Sequence, residues 1–201
     1  MDTSLPDKLP FVSRGGLKLD HALTEFGLDV TGFVCADLGC STGGFTDCLL
    51  QRGAARVHAV DTAYGELAWK LRQNDRVTVH ERSNALHLEP AEACDLVVLD
   101  LGWTKQDKAV PAALRWLKPS GRIVSLVKPH YEAGPEELGQ GGLLDPDHAE
   151  AVAERVRDGV LPGLGVRVLG WTKSPVLGGA VGKKKKRRGA GNPEWLALLG
   201  V

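Results

Sequence analysis

The segment formed by residues 37–50, DLGCSTGGFTDCLL, limits the fold more than any other stretch of the chain. It begins with an acid at the end of a β-rich run, turns on glycines and then opens into a helical pattern. The glycines Gly39, Gly43 and Gly44 let the backbone turn sharply and approach a ligand closely, and a helix start offers free backbone N–H groups. This order predicts a ligand site at the carboxyl end of a parallel strand.

Short β-rich runs alternate with segments of helical period along the whole chain. The β-rich runs are residues 33–38, 56–60, 77–80, 95–99, 121–127, 166–171 and 195–199. Apolar side chains recur at helical spacing between Ser13 and Gly27, and again after Asp147, which we interpret as a helix N-cap. The alternation predicts an α/β protein with a mostly parallel seven-stranded sheet and helices on both faces.

The composition fits one domain. With 201 residues, 43% of them hydrophobic, the chain can bury one substantial core, so we expect a single domain over residues 1–201. The longest apolar stretches are far shorter than the ~20 residues of a membrane span, and the polar start carries no signal-peptide core. We therefore expect a cytoplasmic protein without a membrane partner. Four cysteines without a C-x-x-C pair favour reduced thiols over disulfides or a metal site.

One charge run stands out from an otherwise balanced composition. It consists of six consecutive cations, Lys183, Lys184, Lys185, Lys186, Arg187 and Arg188. The chain has 25 basic and 25 acidic side chains, so the rest of it has 19 basic against 25 acidic ones. Such segregation is typical of a protein that meets an anionic partner at one place, a nucleic acid or a membrane surface. A solvated loop is the alternative that the sequence leaves open.

A second acid helps to identify the ligand of the glycine turn. Asp61 closes the next β-rich run, 24 positions after Asp37, where α/β nucleotide folds bind ribose hydroxyls. The glycines do not follow the G-x-G-x-x-G pattern of dinucleotide sites, and Asp37 would repel a pyrophosphate. An acid there suits a ligand that carries an ammonium group and a sulfonium, which is S-adenosylmethionine (SAM). A purely structural glycine turn is the alternative.

Six stretches together resemble one known family. They are FVSRGGLKL, DLGCSTGGFTDCLLQRGA, VDTAYGELAWKLRQNDRV, ERSNA, LVKPHYEAG and GNPEW, and they resemble the FtsJ-like ribose 2′-O-methyltransferases, most closely the TlyA (hemolysin A-like) branch. The resemblance implies a Rossmann-like methyltransferase fold with an antiparallel last strand, SAM as cofactor, and RNA, in particular ribosomal RNA, as partner. Members of the branch usually carry an N-terminal S4 RNA-binding domain, which we expect this chain to lack.

The resemblance also implies a Lys-Asp-Lys-Glu catalytic tetrad. By motif its members are Lys18 in SRGGLKL, Asp100 after VVL, Lys128 in LVKPHYE and Glu194 in GNPEW. Lys128 is the implied acceptor of the substrate proton. Burial and the neighbouring Lys18 would lower its pKa whereas the two carboxylates would raise it, so the sign of the shift stays open. Asp100 and Lys128 follow predicted strands, and an antiparallel last strand would bring Glu194 to the same edge.

The cofactor residues implied by the motifs lie in the glycine turn and at neighbouring strand ends. They are Asp37, Gly39, Ser41, Thr42, Gly43, Gly44, Phe45, Asp61, Asn84 and Asp100. Asn84 is equally open to a structural role in a turn. Two departures from the family pattern leave the target open: DLGWTKQ replaces DVSFISL, and His130 and Tyr131 replace Gln and Phe. We interpret His130 as a hydrogen-bonding neighbour of the site, with a catalytic base as the alternative.

The cationic run resembles an insertion relative to the family and ends six residues before Glu194. We therefore expect it to contact RNA phosphates. Two other functions remain open. One is a SAM-dependent methyltransferase acting on another nucleic-acid atom, although the N-P-P-Y or D-P-P-Y motif of base-nitrogen enzymes is missing. The other is a non-catalytic RNA-binding or hemolysin-like protein, although no amphipathic cationic helix or long apolar segment supports membrane attack.

Overall fold

The structure is a computed structural model that describes residues 9–178 and 191–201. Seven strands form one sheet in the order β3-β2-β1-β4-β5-β7-β6. They are β1 (Val34–Leu38), β2 (Arg56–Val60), β3 (Val77–His80), β4 (Cys94–Leu99), β5 (Leu117–Val127), β6 (Arg167–Lys173) and β7 (Trp195–Gly200). Strand β7 is antiparallel to both of its neighbours, and the other pairs are parallel. The predicted mostly parallel sheet with an antiparallel last strand is confirmed.

Helices cover both faces of this sheet. They are α1 (Gly15–Glu25), α2 (Gly44–Gln51), α3 (Trp69–Arg72), α4 (Gln106–Leu114), α5 (Pro129–Glu132) and α6 (Pro146–Arg155). Shorter turns are 3-10 helical at Pro135–Glu137 and Gln140–Gly142, π-helical at Val156–Val160 and α-helical at Leu161–Gly163. None of the helices in the two described ranges is long and apolar enough to cross a membrane.

Each face of the sheet has its own apolar cluster. Along β1, Cys35 packs into the cluster beneath α1 and α2, whereas Ala36 and Leu38 pack into the cluster beneath α4 and α6. Successive strand residues point to opposite faces, so Asp37 lies on the face that α2 covers. Both faces are apolar, as in a sheet that is buried on both sides. All four cysteines are free and buried, as the sequence predicts.

The predicted N-cap of α6 is wrong. Asp145, not Asp147, occupies that position, and its carboxylate accepts hydrogen bonds from the backbone N–H groups of Asp147 and His148, at 3.0 and 3.4 Å. Pro146 at the first helical position has its φ already set for a helix and needs no hydrogen-bond acceptor, so the helix begins earlier than its apolar pattern. Strand β5 also begins earlier than predicted, at Leu117.

Candidate active site and cofactor pocket

The carboxyl edge of the sheet gathers the acids that the sequence singles out. Leu38 of β1 pairs with Val60 of β2 and with Leu99 of β4. The residues that follow these three strands therefore leave the sheet at one level. Asp61 follows β2, Asp100 follows β4, and the glycine turn follows β1. The strand register thus places the predicted cofactor and catalytic acids around one opening.

The antiparallel strand β7 brings the last predicted residue to the same edge. Val127 of β5 pairs with Trp195 of β7. Because the two strands run in opposite directions, Glu194 enters the sheet where Lys128 leaves it. The two side chains are close enough for the charge of each to shift the pKa of the other.

Two glycines of the turn have different tasks. Gly39 has a φ of 93°, and a Cβ there would lie 2.7 Å from the backbone oxygen of Asp100. It therefore allows the turn to touch the chain that follows β4. Gly43 has a φ of 97° and precedes α2, but a Cβ there would collide with the side chains of Leu67 and Leu71. Gly43 shapes the start of α2 and does not line the cavities described below.

Asp37 is a fully buried acid with one unused oxygen. Its Oδ2 accepts hydrogen bonds from the Thr46 backbone N–H and hydroxyl, at 2.9 and 2.6 Å. Its Oδ1 has no hydrogen-bond partner among the described residues. Burial raises the pKa of the Asp37 carboxyl to about 7, and the carboxylates of Asp100 and Asp61 add to the shift. A cationic ligand group that donates to Oδ1 would satisfy that oxygen and stabilise the ionised form.

A first cavity opens beside Asp37. It contains seven of the ten predicted cofactor residues, Asp100 among them, together with several residues at the start of α1. Its lining is Ser13, Arg14, Gly15, Lys18, Asp37, Gly39, Cys40, Ser41, Thr42, Gly44, Phe45 and Asp100. Asp37 therefore forms part of the wall of a space that fits the ammonium group of SAM, and less than 1 Å² of its unused oxygen is exposed in the protein without ligands.

A second cavity of about 540 Å³ lies next to the first, and Gly39, Ser41 and Asp100 line both. Its size is typical of ligand pockets. The carboxylate of Asp61 lines it and accepts hydrogen bonds from the backbone N–H groups of Ser41 and Ala63, both at 2.8 Å. These bonds fix the carboxylate at the cavity wall and leave it further acceptor capacity, which fits ribose hydroxyls.

Asn84 combines the two roles that the sequence leaves open. Its Oδ1 accepts a hydrogen bond from the backbone N–H of Leu86 at 2.9 Å, which makes a turn. The same residue lines the second cavity together with Leu86 and Asp61. Its contact with the cofactor stays a prediction.

Lys128 and Asp100 form an ion pair at the boundary between the cavities. The Lys128 Nζ lies 2.5 Å from Asp100 Oδ1 and donates to the backbone oxygen of Leu101 at 3.2 Å. Burial lowers the pKa of Lys128, but the carboxylates of Asp100 and Glu194 raise it by more, so the net shift is upward. The sequence leaves this sign open, and in the structure the carboxylates prevail. The ammonium of Lys128 is therefore charged at neutral pH.

Lys18 and Glu194 form the second pair of the predicted tetrad. The Nζ of Lys18, on the first turn of α1, donates to Oε2 of Glu194, and both residues are buried. Burial raises the pKa of Glu194, while the charges of Lys18 and Lys128 oppose that rise. All four predicted residues thus lie within one network of two ion pairs. Removal of one partner would leave an uncompensated buried charge.

His130 is a buried imidazole beside this network. It is 8% exposed, and its Nδ1 has no hydrogen-bond partner in the part of the chain that the structure describes. Burial and, to a smaller extent, the charges of Lys128 and Lys18 together lower the pKa of His130 to about 4. The ring is therefore neutral at physiological pH. It lines neither of the two cavities.

An aromatic pair at the mouth of the second cavity is absent from the sequence-based predictions. Trp103 is 77% exposed and lines that cavity. Its ring stacks on Tyr131 with centroids 5.2 Å apart. Its φ of 55° is unusual for a bulky residue, and such strain tends to occur at functional sites. The departure from the family pattern at DLGWTKQ is the one sequence signal that points to it.

Two further predictions concern charge and metals. The cationic run at residues 183–188 lies outside the described residues. Within residues 9–178 and 191–201, no group of three or more potential metal-ligating side chains comes together.

Comparison with known proteins places this site in a family. Residues 11–179 match the model of the FtsJ-like methyltransferases. The chain is 39% identical over 190 residues to the Bacillus subtilis protein "Putative rRNA methyltransferase YqxC", and the match covers 89% of this chain and 67% of the relative. It is 43% identical over 176 residues to the Mycobacterium tuberculosis "16S/23S rRNA (cytidine-2'-O)-methyltransferase TlyA", covering 84% of this chain and 64% of the relative.

A solved structure agrees with these sequence matches. The structure described as "Putative hemolysin from Streptococcus thermophilus" superposes with a TM-score of 0.85 at 39% identity, over 97% of this chain and 68% of that one. The match with this chain spans about two thirds of the length of the curated relatives. The match of the family model, the identity of the relatives and the fit of the cavities agree: the chain belongs to the FtsJ-like methyltransferase family, and its cofactor is S-adenosylmethionine.

Proposed function

We propose that the protein methylates a ribose 2′-hydroxyl of ribosomal RNA through Lys18, Asp100, Lys128 and Glu194. The observation that carries this proposal is the pair of Lys–carboxylate bridges beside the cofactor cavities. The names of the relatives support it, since one is described as an rRNA methyltransferase and another as an rRNA (cytidine-2'-O)-methyltransferase. The strands of both described ranges share one sheet, which supports a single domain over residues 1–201.

The reaction needs an acceptor for one proton. The 2′-oxygen forms a bond to the methyl carbon, the bond from that carbon to sulfur breaks, and the hydroxyl proton leaves. When bound, SAM supplies the methyl group and a positively charged sulfonium. We assign the proton to the Nζ of Lys128, which Asp100 and the Leu101 backbone oxygen hold in place. Alignment of the hydroxyl with the methyl carbon contributes to the rate as well.

The charge of Lys128 has to change before it accepts a proton. Its pKa is raised by the two carboxylates in the protein without ligands. A bound cation near Asp100 and the loss of water from the cavity both disfavour a second positive charge. We therefore propose that the assembled complex lowers the pKa of Lys128 and that the ammonium releases its proton to bulk water as the complex forms, before the transfer.

The stacked rings of Trp103 and Tyr131 suit a nucleobase. Trp103 lines the second cavity, as Asp100 does, and offers most of its surface to solvent, while Tyr131 stacks on its ring. Bases in single-stranded or flipped-out nucleotides stack on such rings. We propose that this pair holds the base of the target nucleotide or of its neighbour while the ribose lies over Lys128.

The cationic run at residues 183–188 supports an RNA partner through its composition. Its six charges are adjacent in the sequence, and the rest of the chain is net acidic. We propose that these residues contact phosphates without reading the base sequence.

The decisive experiment maps the methyl group. Purified protein, SAM with a labelled methyl group and unmodified ribosomal subunits are incubated, and the RNA is then hydrolysed with alkali. A 2′-O-methyl group blocks cleavage at its own nucleotide, so the label should appear in alkali-resistant dinucleotides. Label in mononucleotides would show a methylated base and would refute the ribose proposal. Absence of label with both subunits and with free rRNA would refute ribosomal RNA as substrate.

A further inference from the structure

The first cavity has two poles of opposite charge. At one pole lies Oδ1 of Asp37, which is fully buried and has no hydrogen-bond partner among the described residues. At the other pole Arg14 lines the cavity. The guanidinium of Arg14 takes part in no salt bridge or hydrogen bond with any residue in the described ranges. An α-amino acid group carries one charge of each sign, so it matches both poles at once.

The packing of two helix starts fixes the position of Arg14. A Cβ at Gly44 would lie 2.8 Å from the nitrogen of Gly16 and 3.1 Å from the Cα of Gly15. The start of α1 therefore rests directly on the start of α2, and the absence of a Cβ at Gly44 permits that distance. Because Arg14 immediately precedes α1, its side chain begins next to the first turn of α2.

The first turn of α2 adds two free donors to the wall of this cavity. The backbone N–H groups of Gly44 and Phe45 donate to no acceptor in the described residues, and both residues line the cavity. Free N–H groups at a helix start favour an anion. The other cation of the cavity is Lys18, and it is already paired with Glu194. Arg14 is thus the cation available to a carboxylate.

We propose that Arg14 binds the carboxylate of the methionine part of SAM, opposite the ammonium group that Asp37 binds. Arg14 is not among the catalytic or cofactor residues that the sequence motifs predict. The pair of poles would make the cavity a selective site for the zwitterionic end of the cofactor. The inference rests on SAM as cofactor and not on the RNA substrate.

Decarboxylated SAM tests this directly, since it keeps the ammonium and sulfonium groups but lacks the carboxylate. Calorimetry measures the affinity of both compounds for the wild type and for Arg14→Gln. We expect the wild type to prefer SAM, and Arg14→Gln to lose about 10- to 100-fold in SAM affinity with little change for decarboxylated SAM. Arg14→Lys should keep part of the preference. Asp37→Asn should lower the affinity for both compounds.

Arg167→Gln is the matched control. This exposed arginine begins β6 at the opposite end of the sheet, so it removes the same charge far from the cavity, and both affinities should be unchanged. Circular dichroism and melting curves check that each variant is folded. An equal loss for both compounds in Arg14→Gln would overturn the proposal. The proposal would also be overturned if Arg14→Gln kept its SAM affinity but bound a single-stranded RNA 20-mer more weakly. In that case Arg14 would contact RNA and not the cofactor. A wild type that binds neither compound would refute the cofactor itself.

Discussion

Thr46 donates two hydrogen bonds to one carboxylate oxygen of Asp37, and the other oxygen receives none from any residue that the structure describes. One oxygen of this buried carboxylate is thus hydrogen-bonded within the protein, and the other is left to hydrogen-bond to a ligand. The arrangement favours binding at the expense of stability. Burial raises the pKa of this carboxyl to about 7, so the ionised form destabilises the cofactor-free fold.

Asp37→Asn should stabilise the cofactor-free protein above pH 7. A carboxyl whose folded pKa lies above its unfolded value stabilises the fold at low pH, and this contribution is lost as pH rises from about 4 to about 7. Asparagine keeps the acceptor for Thr46 and carries no charge. Since about 1 kcal/mol shifts Tm by about 2–4 °C for a chain of this size, we expect a gain of several degrees at pH 8 and a gain of less than half that size at pH 5.

A second buried acid is the control for Asp37→Asn. Asp47 accepts a hydrogen bond from the Val12 N–H and pairs with Lys70, so both of its oxygens are used. Asp47→Asn should lower Tm at both pH values. If Asp37→Asn also lowers Tm at pH 8, the buried carboxylate is not a source of instability.

Lys128→Gln should abolish methyl transfer and leave the cofactor affinity close to that of the wild type. The loss should be at least about 100-fold in kcat, as expected for removal of a general base. Lys118→Gln is the control. Lys118 pairs with Asp95 at 2.7 Å near the starts of β5 and β4, at the edge of the sheet opposite the site. A label-transfer assay with saturating SAM compares the two. Equal activity of both variants would remove Lys128 from the mechanism.

The value of kcat should rise with pH if Lys128 accepts the proton. In the protein without ligands the carboxylates of Asp100 and Glu194 shift its pKa upward, whereas kcat reports the lower pKa that we propose for Lys128 in the assembled complex. Below that pKa, log kcat should increase with a slope approaching one per pH unit. The measurement uses saturating SAM, so that the titration of Asp37 affects binding and not kcat. A flat profile would mean that alignment alone drives the transfer.

Trp103→Ala should weaken RNA binding without loss of stability. Its ring is 77% exposed and its φ is 55°, so the fold gains little from it. Loss of base stacking costs about 1–3 kcal/mol, which corresponds to a KM for RNA about 5- to 150-fold higher. Trp69→Ala is the control, since Trp69 is 70% exposed but lines neither cavity. An equal effect of both substitutions would argue against a specific stacking role.

Replacement of residues 183–188 by glycine and serine should weaken binding to unrelated RNAs by similar factors. Each phosphate contact contributes a slope of about −0.7 to the dependence of log K on log salt for single strands. The salt dependence of the altered protein should therefore be flatter, with unchanged SAM affinity. Titrations of two unrelated RNAs at several salt concentrations measure this. An unaltered slope is the result expected of a solvated loop.

The architecture could be predicted from the sequence because its signals are local. Apolar β-rich runs and the glycine turn lie within short segments, and strand ends in a parallel sheet meet at one edge. That is enough to expect Asp61, Asp100 and Lys128 around one opening. The N-cap of α6 was harder, since Asp145 and Asp147 are both good caps and Pro146 decides between them through backbone geometry.

The properties that depend on long-range contacts could not be predicted. The sign of the pKa shift of Lys128 depends on how near Asp100 and Glu194 lie, which a sequence does not give. Arg14 was overlooked because its role follows from the contact between two helix starts about 30 residues apart in the sequence, which the absence of a side chain at Gly44 permits. The stacking of Trp103 on Tyr131 likewise joins segments from the ends of different strands.

Strand β7 lies between β5 and β6, and Lys18 and Glu194 are 176 residues apart. During synthesis, β6 leaves the ribosome before the strand that joins it to the sheet, since β7 is its one neighbour in the described sheet. Until residues 191–200 emerge, the nascent chain has an unpaired edge at β5, an undocked β6 and a buried lysine without its counter-ion. Completion of the sheet and formation of the Lys18–Glu194 pair are therefore the same event, so the mechanism that we propose implies that a partly synthesised chain is inactive.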